Sequence, residues 1–317
     1  MYVAIVCRLG AGFGLFLAGV RIVRSGLEGL AETGLRGALR FLAGTPGRGV
    51  ILGGAVTGLV QSSGVTTTLI VALAGARAIS LREAIGLILG ANIGATVTVQ
   101  MLAFSVHRHA QAVVLAGLFV LLLARGRPAR AVTIRRVGWT TVGVGLLFLG
   151  LRLIGGATGP LASGERFAAV ARVLGRRPIL GLIGGAAISA AVQSSSVTIA
   201  ATISACTNGR LDLAGAVPVI IGANMGTCVT AIIAGAWSTV YARRAAAAHL
   251  LFNSACAGLF MALLQPFVAV VSCTSASIAS QLANAHSLFN VVGTLLALPF
   301  VDAVASAVER AVPGPRD

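Results

Sequence analysis

The sequence is poor in charged residues, because only 10% of its 317 residues carry a charge, eight are acidic and none is lysine. A typical soluble domain carries about a quarter charged residues, so this shortage excludes an ordinary soluble globule. The apolar share is 57%, which is enough for about nine spans of roughly 20 residues each. The composition therefore predicts a polytopic membrane protein in a lipid bilayer.

The shortage of acids leaves a net charge of +16, carried by 24 arginines. Such an excess is typical of nucleic-acid binding, but the arginines lie between apolar runs and not on one basic face. A hydrocarbon-compatible sequence offers no solvated groove for a polyanion, so nucleic acid is not an expected partner. The arginines instead flank membrane segments. The groups Arg125–Arg136 and Arg243–Arg244 predict two loops on the cytoplasmic side of a bacterial inner membrane.

Metal and proton chemistry also lack their usual side chains. The five cysteines are single, with no C-x-x-C pair and no Cys/His spacing suited to zinc, so they are expected to be buried small apolar residues. The eight acids lie at segment edges or in loops, which leaves no carboxylate relay for protons inside the membrane. We therefore expect neither a transition metal nor a cofactor.

The apolar runs are long and lack the alternating pattern of barrel strands. Because hydrocarbon offers no water to backbone polar groups, each run is expected to be a helix. The predicted fold is an all-α polytopic membrane protein with about eight to nine apolar segments and with re-entrant or broken helices. The segments lie near residues 9–23, 50–75, 79–105, 110–124, 137–155, 179–206, 211–237, 245–271 and 276–305. Two mixed stretches, 25–44 and 156–178, are expected to be interfacial or re-entrant.

An internal duplication is the sharpest feature of the chain. Gln61–Thr66 (QSSGVT) matches Gln193–Thr198 (QSSSVT), and Gly90–Thr98 matches Gly222–Thr230 at the same spacing along the chain. Eleven of these 15 positions are identical, which excludes chance and predicts two homologous repeats. The predicted organisation is repeat 1 over 8–130, repeat 2 over 139–270, and a C-terminal span with a short tail over 271–317.

Duplicated halves with a polar, glycine-interrupted break at matching places are typical of secondary transporters, whose site forms between the repeats. Buried Gln, Ser, Thr and Asn side chains cost a few kcal/mol each unless a partner or a ligand binds them. Their oxygens, with carbonyls loosened near glycine, can replace the water shell of sodium, while their donors and half-helix N-termini can bind an oxyanion. Because no acid is needed, these motifs favour sodium coupling over proton coupling.

Further motifs give the chain a family resemblance. The paired QSS(S/G) and GAN(I/M)G motifs, with Gly14–Arg21, His249–Asn253 (HLLFN) and His286–Asn290 (HSLFN), resemble the type II sodium/phosphate cotransporter family over about residues 10–300. The resemblance implies an inverted-repeat transporter in which both Gln-Ser-Ser segments bind sodium and inorganic phosphate. Gly64 stands where the family has a third serine, and Ala95 where it has threonine.

The resemblance also implies a set of ligands. The implied ligands are Gln61, Ser62, Ser63, Gln193, Ser194, Ser195 and Ser196, with Thr66, Thr198, Asn92, Asn224 and Thr227 in support. Bacterial relatives often carry a helical phosphate-regulatory domain after the transporter, and the end of this chain at Asp317 predicts a short form without it.

Two other functions fit parts of the pattern. One is sodium-coupled transport of a different oxyanion, such as sulfate or arsenate. The other is an intramembrane serine protease, in which a buried histidine activates the Ser63 hydroxyl and an asparagine supplies oxyanion donors. The duplication argues against the protease, because a protease needs one nucleophile and no G-x-S-x-G elbow is present. His249 and His286 are therefore expected to bond across the helix bundle and not to bind a metal or carry protons.

Overall fold

A computed structural model describes residues 45–103, 110–124, 131–162 and 177–314, together with residue 173 and scattered positions between 7 and 25. All secondary structure in these residues is helical, which confirms the predicted all-α fold. The predicted mixed stretch at 25–44 lies almost wholly outside the described residues, as does most of the stretch at 156–178.

Helices follow one another along the described parts of the chain. They are α1 (Pro46–Val60), α2 (Ser63–Gly75), α3 (Leu81–Ala103), α4 (Ala110–Leu123), α5 (Ala131–Ala162), α6 (Pro178–Val192), α7 (Ser195–Thr207), α8 (Leu213–Gly226), α9 (Cys228–Ala236), α10 (Val240–Ala262), α11 (Leu264–Ser272), α12 (Ile278–Ala297) and α13 (Val301–Ala311). A 3₁₀ turn, Leu298–Phe300, joins α12 to α13.

Five helical stretches in the described residues are long and apolar enough to cross a membrane. They are Leu81–Met101, Val132–Gly150, Leu213–Ala236, Val240–Ala262 and Ile278–Ala311. The chain is an integral multi-pass membrane protein, while the total of eight to nine apolar segments stays a prediction.

The apolar segments predicted at 50–75 and 179–206 are each divided into two helices, in agreement with the predicted broken helices. α1 and α2 contain 15 and 13 residues, and α6 and α7 also contain 15 and 13 residues. Each helix is therefore shorter than the roughly 20 residues that a span requires. The divisions fall at Gln61-Ser62 and at Gln193-Ser194, so the polar motifs form turns between short apolar helices.

The chain forms two compact units. The first contains residues 1–38 and 101–167, and the second contains residues 39–100 and 168–317. In the first unit α4 and α5 pack closely at glycine, since a Cβ atom on Gly117 would lie 2.6 Å from the amide nitrogen of Val142. The second unit contains both polar turns and therefore the candidate site.

Glycine allows two helix pairs of the second unit to approach at backbone contact. A Cβ atom on Gly90 of α3 would overlap the carbonyl oxygen of Val50 in α1. At the matching place, a Cβ atom on Gly222 of α8 would overlap the carbonyl oxygen of Leu182 in α6. Small residues at such crossings are typical of membrane helix packing, because lipid supplies no hydrophobic force between helices. The same close crossing therefore occurs twice, once beside each polar motif.

Candidate functional site

Each polar turn begins with a glutamine in the left-handed conformation. Gln61 has φ 55° and ψ 27°, and Gln193 has φ 54° and ψ 30°. This conformation costs a residue with a side chain about 1–2 kcal/mol, so it persists only where the surroundings enforce it. The Gln61 amide N–H donates to the Thr57 carbonyl oxygen (2.7 Å), which closes the end of α1. Strain at two equivalent positions points to a functional role for both turns.

A serine follows each glutamine and caps the next helix. Ser62 is extended, and its Oγ accepts from the amide of Val65 (3.3 Å). Ser194 is extended as well, and its Oγ accepts from the amide of Val197 (3.4 Å). Each turn therefore places the carbonyl end of one helix beside the amide end of the next. Carbonyl ends attract cations and amide ends attract anions, so one turn offers groups for both.

The hydroxyls in the first turns of α2 and α7 are partly used inside their own helices. Thr66 Oγ1 donates to the Ser62 carbonyl oxygen (3.0 Å), and Thr198 Oγ1 donates to the Ser194 carbonyl oxygen (3.2 Å). Their hydrogens are thereby engaged, while the oxygen lone pairs stay available to a cation. The remaining serines differ in exposure, since Ser195 is buried and Ser196 is half-buried.

The first polar turn lies against the second GAN motif. A Cβ atom on Gly64 would lie 3.5 Å from the Thr230 Oγ1, on α9. Gly64 thus occupies a place where a serine side chain would be in ordinary contact with the opposite motif. Its φ is not positive, so the backbone there does not require glycine. The structure therefore brings residues of the two motif copies together.

The two GAN asparagines are both buried, but their surroundings differ. Asn224 is 2% exposed, and its side-chain amide contacts α10 and α12 instead of the polar turns. Asn92 is 1% exposed, and its Nδ2 has no hydrogen-bond partner among the described residues. Thr227 is also buried, and its Oγ1 donates to the Asn224 carbonyl oxygen (2.7 Å).

Two buried hydroxyls near the turns are absent from the sequence-based prediction. Thr57 and Ser189 are fully buried and occupy matching positions in the two halves, each one helical turn before its glutamine. Their hydroxyl oxygens have no partner within the part of the chain that the structure describes. Extending the comparison of the two halves one helical turn upstream would have identified them, because both are small hydroxyl residues.

The buried polar side chains are electrically neutral. Among the described residues they are all threonine, serine, asparagine or histidine. Within the same residues, no three His, Cys, Asp or Glu side chains lie together in a way that could hold a metal ion. The arrangement provides oxygen lone pairs and N–H or O–H donors, which can bind a monovalent cation and an oxyanion without a buried acid.

A comparison with known families identifies one match over nearly the whole chain. The family model described as Na+/Pi-cotransporter matches residues 15–156 and 160–298. No solved structure gives a significant match.

Several individual proteins are similar to this chain. The uncharacterized protein YqeW of Bacillus subtilis is 28% identical over 94% of this chain and 95% of its own length. The putative inorganic phosphate export protein YjbB of Escherichia coli K12 is 28% identical over 92% of this chain, which spans only 53% of YjbB. The sodium-dependent phosphate transport protein 2A of Ovis aries is 40% identical over 53 residues, which is 17% of this chain and 8% of that protein.

Proposed function

This chain belongs to the Na+/Pi-cotransporter family, and on that basis we propose that it carries inorganic phosphate across a membrane together with sodium. The family is one of transporters, so the chain is a transporter and not an enzyme, which removes the protease alternative. The single observation that carries the proposed mechanism is the repeated turn, in which a left-handed glutamine and a capping serine join two short helices.

In the proposed site, phosphate binds at the amide ends of α2 and α7. Serine hydroxyls and the glutamine amides donate to its oxygens, and the partial positive charge of the helix N-termini stabilises its negative charge. Sodium binds to carbonyl and hydroxyl oxygens of the same turns, including the carbonyl ends of α1 and α6. Because the buried polar groups are neutral, bound sodium also offsets the charge of the phosphate.

The proposal includes the two repeats at 8–130 and 139–270. It is supported by the family model, which matches the chain in two successive stretches, and by the glycine crossings that recur at matching positions. By the arginine pattern, Arg243 and Arg244 face the cytoplasm of a bacterial inner membrane. The name of YjbB refers to export and that of the sheep protein to sodium dependence, so we propose that the sodium gradient sets the direction of flux.

The coupling ion can be tested with purified protein in proteoliposomes. We expect phosphate uptake to rise several-fold when an inward sodium gradient replaces a potassium gradient, because the neutral site requires a cation. Labelled phosphate accumulation is measured with each gradient in both directions, and excess sulfate or arsenate tests the alternative anions. Strong uptake without sodium, powered by a pH step alone, would contradict sodium coupling.

The asymmetry between Gly64 and Ser196 gives a second prediction. Ser196→Ala removes a hydroxyl from the complete copy and is expected to raise the half-saturating sodium or phosphate concentration about fivefold, which corresponds to about 1 kcal/mol. Gly64→Ser is expected to fold and to lower the same concentrations, because the new side chain has room beside Thr230. Initial uptake rates at graded sodium and phosphate test both variants. An unchanged profile in Ser196→Ala would remove this hydroxyl from the site.

A further inference from the structure

A chain of buried hydrogen bonds links α8, α10 and α12. Asn224 Nδ2 donates to Asn253 Oδ1 (2.6 Å), and Asn253 Nδ2 donates to the His249 carbonyl oxygen (3.1 Å). Asn224 Oδ1 lies 3.3 Å from His286 Nε2. Because an amide oxygen only accepts, His286 Nε2 carries the hydrogen. The bonds therefore run in one direction, from His286 through Asn224 and Asn253 to the backbone of α10.

Asn224 is also joined to the interruption between α8 and α9. The Thr227 Oγ1 and the Thr227 amide both donate to the Asn224 carbonyl oxygen, at 2.7 and 3.3 Å. Gly226, two residues after Asn224, packs against α6. A Cβ atom on Gly226 would lie 2.7 Å from the Cβ of Ser189, which is one helical turn before Gln193. Bonds that fix Asn224 therefore also fix the C-terminal end of α8, which packs beside the second polar turn.

The first half carries the same atoms without these bonds. Asn92 lies in the continuous helix α3, and Ala95, which has no hydroxyl, stands where the second half has Thr227. Among the described residues, Asn92 Nδ2, Asn290 Oδ1 and His249 Nε2 have no partner. These are the counterparts of the three atoms that are paired around Asn224.

One of these unpaired atoms, Asn290 Oδ1 on α12, lies at the same level along the helices as Asn92. Thr294 Oγ1 donates to the Leu89 carbonyl oxygen (3.3 Å), and Gln100 Nε2 donates to Asn284 Oδ1 (3.0 Å). α3 and α12 therefore run antiparallel, which places Asn290 level with Asn92. Asn290 Nδ2 donates to the His286 carbonyl oxygen (2.9 Å), as Asn253 does to that of His249, so both HxLFN motifs present their asparagines alike.

We propose that His286 and Asn253 are positioning residues for transport, which hold Asn224 and through it the second polar turn. In another conformation of the transport cycle, His249 and Asn290 bond to Asn92 in the same way and hold the first polar turn. This assignment rests on the proposed function. Asn224 therefore acts on the site indirectly, through the second polar turn, because its amide nitrogen is bonded to α10 and its amide oxygen to α12.

The test separates positioning from simple structural support. Initial phosphate uptake is measured against graded sodium and phosphate for His286→Ala, His286→Gln and Ser287→Ala. We expect His286→Ala to raise the half-saturating concentration of sodium or of phosphate about tenfold. Loss of a hydrogen bond that supports a ligand has an effect of this size at other ion sites. His286→Gln should restore most of the affinity, because its amide can donate to Asn224. Ser287→Ala removes a cross-helix bond from the same turn of α12, to Gln100, and should leave both concentrations unchanged.

A loss of folded protein with unchanged half-saturating concentrations would assign His286 a structural role and overturn the proposal. Where His286→Ala does not fold, Asn253→Ala removes the other bond to Asn224, and unchanged concentrations in that variant overturn it equally. The same measurements on His249→Ala and Asn290→Ala test the role proposed for these residues at Asn92. Normal kinetics in both variants would remove His249 and Asn290 from the proposal.

A stability measurement keeps this test independent of the proposed function. Unfolding midpoints in detergent are compared for His286→Ala, Asn224→Ala and the double variant. We expect the two shifts to be clearly non-additive, because the residues share one bond. Additive shifts would overturn the bond chain. Absence of sodium-dependent phosphate uptake by the unaltered protein would overturn the proposed function. The comparison of the two single variants with the double variant would still test the hydrogen bond between His286 and Asn224.

Discussion

Gln61→Gly and Gln193→Gly are each expected to lose most phosphate transport while remaining folded. Glycine adopts the left-handed conformation without steric cost, so the turn persists and only the side-chain amide is removed. Loss of a hydrogen bond to a charged ligand such as phosphate costs about 1.5–3 kcal/mol, which corresponds to roughly 10-fold to 150-fold weaker binding. The two variants should be similarly impaired if both turns contribute to one site. Uptake in proteoliposomes with a sodium gradient measures the loss.

Two controls make this comparison specific. Arg77 is the third non-glycine residue with a positive φ in the described part of the chain, and it lies outside the polar turns. Arg77→Gly should therefore keep normal uptake, which shows that relief of backbone strain is not what abolishes transport. Gln193→Asn retains an amide and tolerates the left-handed conformation, so partial activity is expected. Normal transport by either glycine variant at Gln61 or Gln193 would contradict a site shared by both turns.

Gly222→Ala and Gly90→Ala are expected to prevent stable folding. The added Cβ atom would overlap a backbone carbonyl oxygen of the partner helix, Leu182 in one case and Val50 in the other. Backbone cannot move aside as a side chain can, so the helix pair must separate. Overpacking typically costs about 1–3 kcal/mol and occasionally more, and overlap with backbone atoms places these variants at the high end, above the gain of about 1 kcal/mol in helix propensity.

The effect is measured as the unfolding midpoint and the monodisperse fraction in detergent. Gly258→Ala is the matched control, because Gly258 lies within α10 and an added Cβ atom meets nothing within 4 Å. That variant should be as stable as the unaltered protein or slightly more stable. Equal stability of Gly222→Ala and Gly258→Ala would contradict backbone contact at the α6–α8 crossing.

Much of the fold is predictable from local features of the sequence. Apolar runs bounded by arginine predict membrane helices, because hydrocarbon accepts only backbone that bonds within itself. Self-comparison locates the polar motifs, because a duplicated motif stands out against apolar background. The polar motif within the apolar run at 50–75 predicts a broken helix, and the structure has two helices that meet at Gln61 and Ser62. Serine is a preferred N-cap, so Ser62 marks where a second helix can begin, but glutamine has ordinary helix propensity and does not predict the left-handed turn.

The sequence by itself therefore determined the membrane class, the helical fold and the positions of the two polar motifs, since these depend on hydropathy and repetition along the chain. Only the tertiary structure decided that both glutamines adopt the left-handed conformation and that Asn224 bonds to Asn253 and His286, which lie 29 and 62 residues away. The HxLFN motifs show that histidine and asparagine share a helix turn, but not which neighbour they contact. That choice depends on which faces of α8, α10 and α12 meet, because buried polar groups bond to whatever partner the packing brings within reach.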